Sequence, residues 1–174
     1  KARGAEVVLI SGPVELNCPF GVEVKPVRSA DEMFHQVMKE AITADIICKV
    51  AAVADYRMET TSEEKIKKSE DDLSLKLVRT KDILAELGKL KEKPFLVGFA
   101  AESEDILKQG IAKLKKKNAD IIVANNIKGP DGVTGKDSTS GIIICADGKN
   151  LAVENCSKVE MSCQILDQVE KRLK

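Results

Sequence analysis

Apolar residues fall along this chain in short, nearly unbroken runs, separated by stretches in which they recur every three or four positions. The runs, rich in Val and Ile, occupy residues 7–10, 46–53, 95–99, 121–124 and 142–145. Continuous runs of this length predict strands buried on both faces of a parallel sheet. Between most of them the spacing changes to that of a helix. Ser29-Ala30-Asp31-Glu32 has the form of a capping box, in which the serine oxygen accepts the Glu32 amide proton while the glutamate reaches back, and it predicts a helix to about residue 44. A second box, Ser157-Lys158-Val159-Glu160, opens a last helix whose apolar face is expected at Val159, Cys163, Leu166, Val169 and Leu173. Ile83, Leu84, Leu87 and Leu90 mark a short helix after Thr80, and Leu107, Ile111 and Leu114 mark another that stops near Asn118. Alternating strands and helices predict a three-layer α/β sandwich with a mostly parallel sheet and right-handed crossovers.

One segment breaks the rhythm. After the small apolar run Ala51-Ala52-Val53-Ala54 comes a single carboxylate, Asp55, and then a polar stretch with no apolar period, before a lysine ladder at Lys65, Lys67 and Lys68. Residues 65–69 and 73–78, on either side of the acidic turn Glu70-Asp71-Asp72, predict an inserted two-stranded arm; alternation of Leu73, Leu75 and Leu77 fits a strand with one wet face. A lysine run is ordinarily a solvated strand face.

Composition narrows the function classes. At 174 residues the chain reads as one domain. Lys and Arg number 28, as do Asp and Glu, so no global basic field points to nucleic acid or an anionic membrane, and any anion site must be local. The apolar runs are shorter than a bilayer span and no leader opens the sequence, which predicts a soluble, cytoplasmic protein. The five cysteines, Cys18, Cys48, Cys145, Cys156 and Cys163, contain no C-x-x-C and sit mostly in apolar runs, so buried reduced thiols are expected. With His35 the only histidine, a Ser-His-Asp triad or His-rich metal site is disfavoured.

Function in an open α/β sheet is expected at the carboxyl ends of strands. Asp55, Ala100-Ala101-Glu102 and Asn125-Asn126 fall at three such ends. Neither G-x-G-x-x-G nor G-x-x-x-x-G-K-[ST] is present, which argues against an unrelated Rossmann-like enzyme using a dinucleotide or SAM. Ala51, Ala52 and Ala54 would let a flat ligand approach the backbone, or a helix pack tightly on the sheet. The loop "GPDGVTG" at 129–135 reads equally as a phosphate cover or a surface turn.

In this order, "AAVADYR" (51–57), "EKIKK" (64–68), "VGFAAE" (97–102), a lysine-bearing helix and "IVANN" (122–126) resemble bacterial phosphopantothenoylcysteine synthetase. This is the ligase half of the bifunctional coenzyme A biosynthesis protein, often fused to a flavin-dependent decarboxylase. The resemblance covers essentially the whole chain and implies a Rossmann-like sandwich, a homodimer, and CTP, 4'-phosphopantothenate and cysteine as small-molecule partners. The implied reaction forms an acyl-cytidylate with loss of pyrophosphate, from which cysteine displaces CMP. A divalent cation such as Mg2+ would accompany CTP; FMN would belong only to a fused decarboxylase outside this chain. By the same resemblance Lys65 is the catalytic lysine of acyl-cytidylate formation. Ala51, Asp55, Lys65, Lys81, Asp82, Ile83, Leu84, Phe99, Lys113 and Lys117 match nucleotide-binding positions, with metal ligands left unassigned. Asp55 would accept a ribose hydroxyl or arrange the metal, and otherwise reads as a turn or cap residue; Phe99 otherwise reads as core. The i,i+4 spacing of Lys113 and Lys117 puts both ammoniums on one helical face, with Lys115 and Lys116 expected to point elsewhere. Two departures stand out: Lys81 replaces the family's usual Pro, and Asn126 its usual Asp. The opening "KARGAEVVLISGP" resembles the family's first helix end and second strand, so residues 1–174 are expected to form a single synthetase-like domain lacking the first strand and substrate loop. A nucleotide-binding α/β module without ligase activity is the alternative.

Overall fold

The computed structural model describes residues 1–60, 64–65, 72–102, 104–126 and 138–173, with Asn126 described by its main chain alone. In chain order the elements are β1 (Val8–Ser11), β2 (Glu23–Pro26), α1 (Ala30–Glu40), β3 (Ile46–Lys49), β4 (Tyr56–Met58), β5 (Leu77–Arg79), α2 (Ile83–Gly88), β6 (Phe95–Glu102), α3 (Ile106–Lys117), β7 (Ile121–Asn126), β8 (Ser138–Cys145), β9 (Asn150–Ser157) and α4 (Lys158–Leu173). They divide into two compact units, Lys1–Lys39 with Ala51–Asp82, and Glu40–Val50 with Ile83–Lys174.

The second unit carries the main sheet, in the order β3-β6-β7-β8-β9. β3, β6 and β7 run parallel, and the sheet then reverses at β8 and β9. The α/β sandwich expected from the runs is therefore present, as a mixed sheet. Its centre is dry: Leu96, Val97, Ile121, Ile122, Val123, Ile143 and Ile144 are essentially fully buried. Two glycines let helices come close. Gly98 receives Leu84 of α2, and Gly110 lets α3 lie on Ala124 and Ile144. The end of α3 is fixed by Asn118, left-handed at φ 49°, whose main-chain N–H donates to the Leu114 and Lys115 carbonyls. Its side-chain Nδ2 donates to the Gly88 carbonyl at 2.8 Å. Asp120, just beyond, accepts from the Leu96 N–H at 2.8 Å and pairs with Lys93 at 2.6 Å.

Ser157 opens α4 as its capping box predicts. Its Oγ accepts the Glu160 N–H at 3.1 Å, and its own N–H donates to Glu160 Oε2 at 2.8 Å. The Ser157 main-chain and hydroxyl hydrogen bonds hold the Glu160 carboxyl below its usual range. The buried face of α4, however, is Met161, Ile165 and Val169. Val169 is buried as expected, but Val159 is 71% exposed and Cys163 is exposed, so the helix is rotated from the expected face. Cys145 and Cys156 are buried thiols outside any disulfide, as expected, whereas Cys18, Cys48 and Cys163 are exposed.

In the first unit β1 and β2 form a parallel pair, and β4 and β5 an antiparallel one. The capping box at Ser29 forms, although Glu32 reaches back to the Arg28 N–H at 2.9 Å. The arm is thus rooted on Tyr56–Met58 and Leu77–Arg79, shorter than 73–78 on its second side. The expected strand 65–69 lies outside the described residues except for Lys65. Arg79 lies over the Tyr56 ring at 5.9 Å and Lys76 pairs with Glu59 at 2.8 Å. Leu73, Leu75 and Leu77 are all more than half exposed. Among the described residues no helix is long and apolar enough to cross a membrane.

Candidate functional site

Each unit gathers part of the expected residue set. In the first, the run from Ala51 leaves the sheet early: β3 ends at Lys49, not at 53, because its ladder with β6 closes at Lys49 and Gly98. Ala51, Ala52, Ala54 and Asp55 are exposed. Two hydrogen bonds clip this run to the chain ahead of Lys81. Thr80 Oγ1 donates to the Ala54 carbonyl at 2.6 Å, and the Thr80 N–H donates to the Asp55 carbonyl at 2.9 Å. Asp55 and Lys81, 26 positions apart by number, are thereby held at one locus. The Lys81 ammonium lies 4.2 Å from the centroid of the Phe34 ring, a cation–π contact. Asp82 is exposed beside it, and Lys65 is exposed on the arm. Lys67 and Lys68 lie outside the described residues.

In the second unit Ile83 and Leu84 are core side chains, 2% and 5% exposed. Only their main chain is left to a ligand. Phe99 is half-buried and packed against the central cluster around Val97 and Val123, so its side chain does core work. Chemistry concentrates instead where β6 and β7 end side by side, with Ala101 opposite Asn125 and Glu102 opposite Asn126. Asn125 Oδ1 is a buried acceptor without a hydrogen-bond partner among the described residues, pressed against Gly141, where a Cβ would stand 2.5 Å from it.

Beside this corner Glu102, Gln109, Ala112, Lys113, Lys116 and Lys117 line an open depression of about 230 Å³. The Lys113 ammonium lies 3.3 Å from Glu102 Oε1. Lys113 and Lys117 do share a face, as their spacing predicts. Lys116 was expected to point away, yet it lines the same depression, because it is i+3 from Lys113 and i+3 neighbours on a helix are as close as i+4 ones. The sequence signal that finds Lys116 and Gln109 is thus the full 109, 113, 116 stripe. Among the described residues, three lysines and one glutamate line the depression, a local excess of positive charge in a chain of zero net charge. The loop at 129–135 lies outside the described residues.

Among the described residues no group of three His, Cys, Asp or Glu converges as metal ligands. A nucleotide-borne Mg2+ keeps several waters and takes one or two carboxylates besides phosphate oxygens; the exposed Asp55 is of the right chemistry for such a role.

The family profile described as DNA/pantothenate metabolism flavoprotein C-terminal domain matches residues 1–173. The chain is 42% identical over 167 residues to the coenzyme A biosynthesis bifunctional protein CoaBC of Bacillus subtilis (strain 168), covering 95% of this chain and 41% of that protein. It is 38% identical over 171 residues to the CoaBC of Haemophilus influenzae, covering 98% and 42%. It therefore spans about two-fifths of the length of these curated relatives. A crystal structure of the C-terminal domain of a CoaBC protein superimposes with a TM-score of 0.81 at 35% identity, covering 98% of this chain and 76% of that one.

Proposed function

We propose a function on one premise: the chain belongs to the DNA/pantothenate metabolism flavoprotein C-terminal domain family. The function is that of a ligase that joins 4'-phosphopantothenate to cysteine in coenzyme A biosynthesis, with CTP as the activating nucleotide. The observation that carries this reading is the continuous match along residues 1–173, which takes in every motif at the candidate site. A carboxylate is a poor electrophile, so its oxygen first attacks the α-phosphorus of CTP, and pyrophosphate leaves. Cysteine then displaces CMP from the acyl-cytidylate. Negative charge builds on the phosphates in the first step, and ammonium groups fixed nearby lower its barrier.

Lys65 supplies that charge in our reading. Asp55, with Ala51, Lys81 and Asp82, contacts the nucleoside or arranges a phosphate-bound Mg2+, and the main chain at Ile83 and Leu84 lines the same ligand. By the family resemblance Phe99 also takes part in nucleotide binding, and Lys113 and Lys117 hold phosphate oxygens. Pyrophosphate release from CTP and 4'-phosphopantothenate, with cysteine withheld, tests the reaction. CTP binding without release, even with cysteine added, would instead favour a nucleotide-binding module without ligase activity.

If both helix lysines face the phosphates, Lys113→Ala and Lys117→Ala should each weaken CTP binding by about 1–3 kcal/mol, the range for a charge-assisted hydrogen bond. Calorimetry returning parental affinity for both variants would remove them from the site. We also read residues 1–174 as one synthetase domain that acts as a homodimer in the cytoplasm. Support for the dimer comes from the arm, where Leu73 and Leu75 are 66% and 55% exposed. A monomer in sedimentation at micromolar concentration would count against it.

A further inference from the structure

We propose that Glu102 is the resident counter-anion of Lys113: it holds the ammonium at the corner of β6 until a phosphate oxygen of the nucleotide takes its place, and it thereby weakens anion binding. The proposal rests on the nucleotide reading of the α3 lysines given above. Two half-buried lysine–carboxylate pairs in this unit differ in a way that separates a fixture from a placeholder. Lys93 and Asp120 stand at 2.6 Å, and Asp120 Oδ2 is also bound to the Leu96 N–H, so the carboxylate is committed on two sides. Lys113 and Glu102 stand at 3.3 Å, with 35% and 21% of their side chains exposed. A strong pair of this kind closes to about 2.7–2.9 Å. The Glu102 contact is thus loose, partly wet and open to exchange.

The surroundings say what would exchange with it. Lys116 and the Gln109 amide line the same depression, so among the described lining residues cationic and amide donors surround a single carboxylate. An ammonium has three donors and no acceptor, and Lys113 can pass from carboxylate to phosphate by a small rotation of its stem. Once displaced, Glu102 remains beside the incoming phosphates as a like charge. Repulsion between two full charges a few ångströms apart outweighs the ordering that the glutamate had given to one lysine stem.

The test is calorimetry on Glu102→Gln, which keeps shape and removes the charge. CTP without divalent cation, and inorganic triphosphate as a second probe, should each bind about two- to fivefold more tightly than to the parent, the scale of one partly exposed charge contact. Cytidine, which lacks phosphate, should bind unchanged, and the thermal midpoint of the variant should match the parent. Equal or weaker binding of CTP by the variant overturns the placeholder role while leaving the nucleotide reading intact. A gain shared by cytidine means general loosening and overturns it too. A parent that binds no CTP overturns both.

Discussion

Lys65→Gln is expected to lower pyrophosphate release from CTP and 4'-phosphopantothenate by about 10²- to 10³-fold, the loss typical of one preorganised group that stabilises developing charge. CTP affinity should change far less. Only an interaction stronger in the transition state than in the ground state speeds the chemical step, so a lysine recruited as charge builds on phosphorus shows its effect in turnover. The position suits a clean experiment. Lys65 is exposed, so a glutamine there leaves no buried charge unpaired and removes no core contact. Single-turnover release is measured with cysteine withheld, and CTP binding is followed in parallel. Release at the parental rate would return the lysine to a solvated strand face and leave phosphate stabilisation to the α3 cluster.

Gly88→Ala should destabilise the protein by about 2 kcal/mol or more, toward the upper part of the range for overpacking a tight contact. Helix propensity alone predicts the opposite sign, since alanine is favoured over glycine inside a helix by about 0.5–1 kcal/mol. Sterics decide the outcome. A Cβ on Gly88 would overlap the Lys117 carbonyl and stand 3.2 Å from Asn118 Cβ. The obstruction is main chain, held by the Asn118 cap and by its side-chain bond to the Gly88 carbonyl. Relief therefore requires α2 to part from the end of α3, which carries Lys117. The urea midpoint should fall and CTP affinity should fall with it; a midpoint equal to or above the parent's would refute the steric account.

What could be read from the sequence follows the range of the forces involved. Both capping boxes were legible because their partners lie three residues apart and need no other part of the chain. The strands at Phe95 and Ile121 were legible because burial on two faces leaves an unbroken apolar run. The face of α4 was legible only in part: Val169 is buried as expected, but Val159 and Cys163 fit a helical period with it as well as Met161 and Ile165 do, and only the sheet chooses between them. β2 and β9 were missed for a related reason. Glu23–Pro26 is short and ends in proline, and Asn150–Ser157 buries only Val153 and Cys156, so neither gives a run. At the site, the spacing of Lys113 and Lys117 was visible along one helix, whereas the approach of Glu102 to Lys113 depends on the pairing of β6 with β7 and on Gly110 seating α3.

The clip between Thr80 and the Ala54–Asp55 carbonyls also bears on how such a chain can vary in length. Because the two ends of the arm are fastened to each other at its root, residues inserted farther out do not have to be absorbed by Asp55 or Lys81. The entropy of closing a loop grows only with the logarithm of its length, about 0.6 kcal/mol for each doubling. Insertions at residues 72–74, short of the Lys76–Glu59 contact, would lengthen the excursion while leaving its anchorage in register. The root of the arm would therefore tolerate a change in the arm's length without losing the placement of Asp55 and Lys81, while residues added beside Leu73 and Leu75 would alter the apolar face proposed for the dimer.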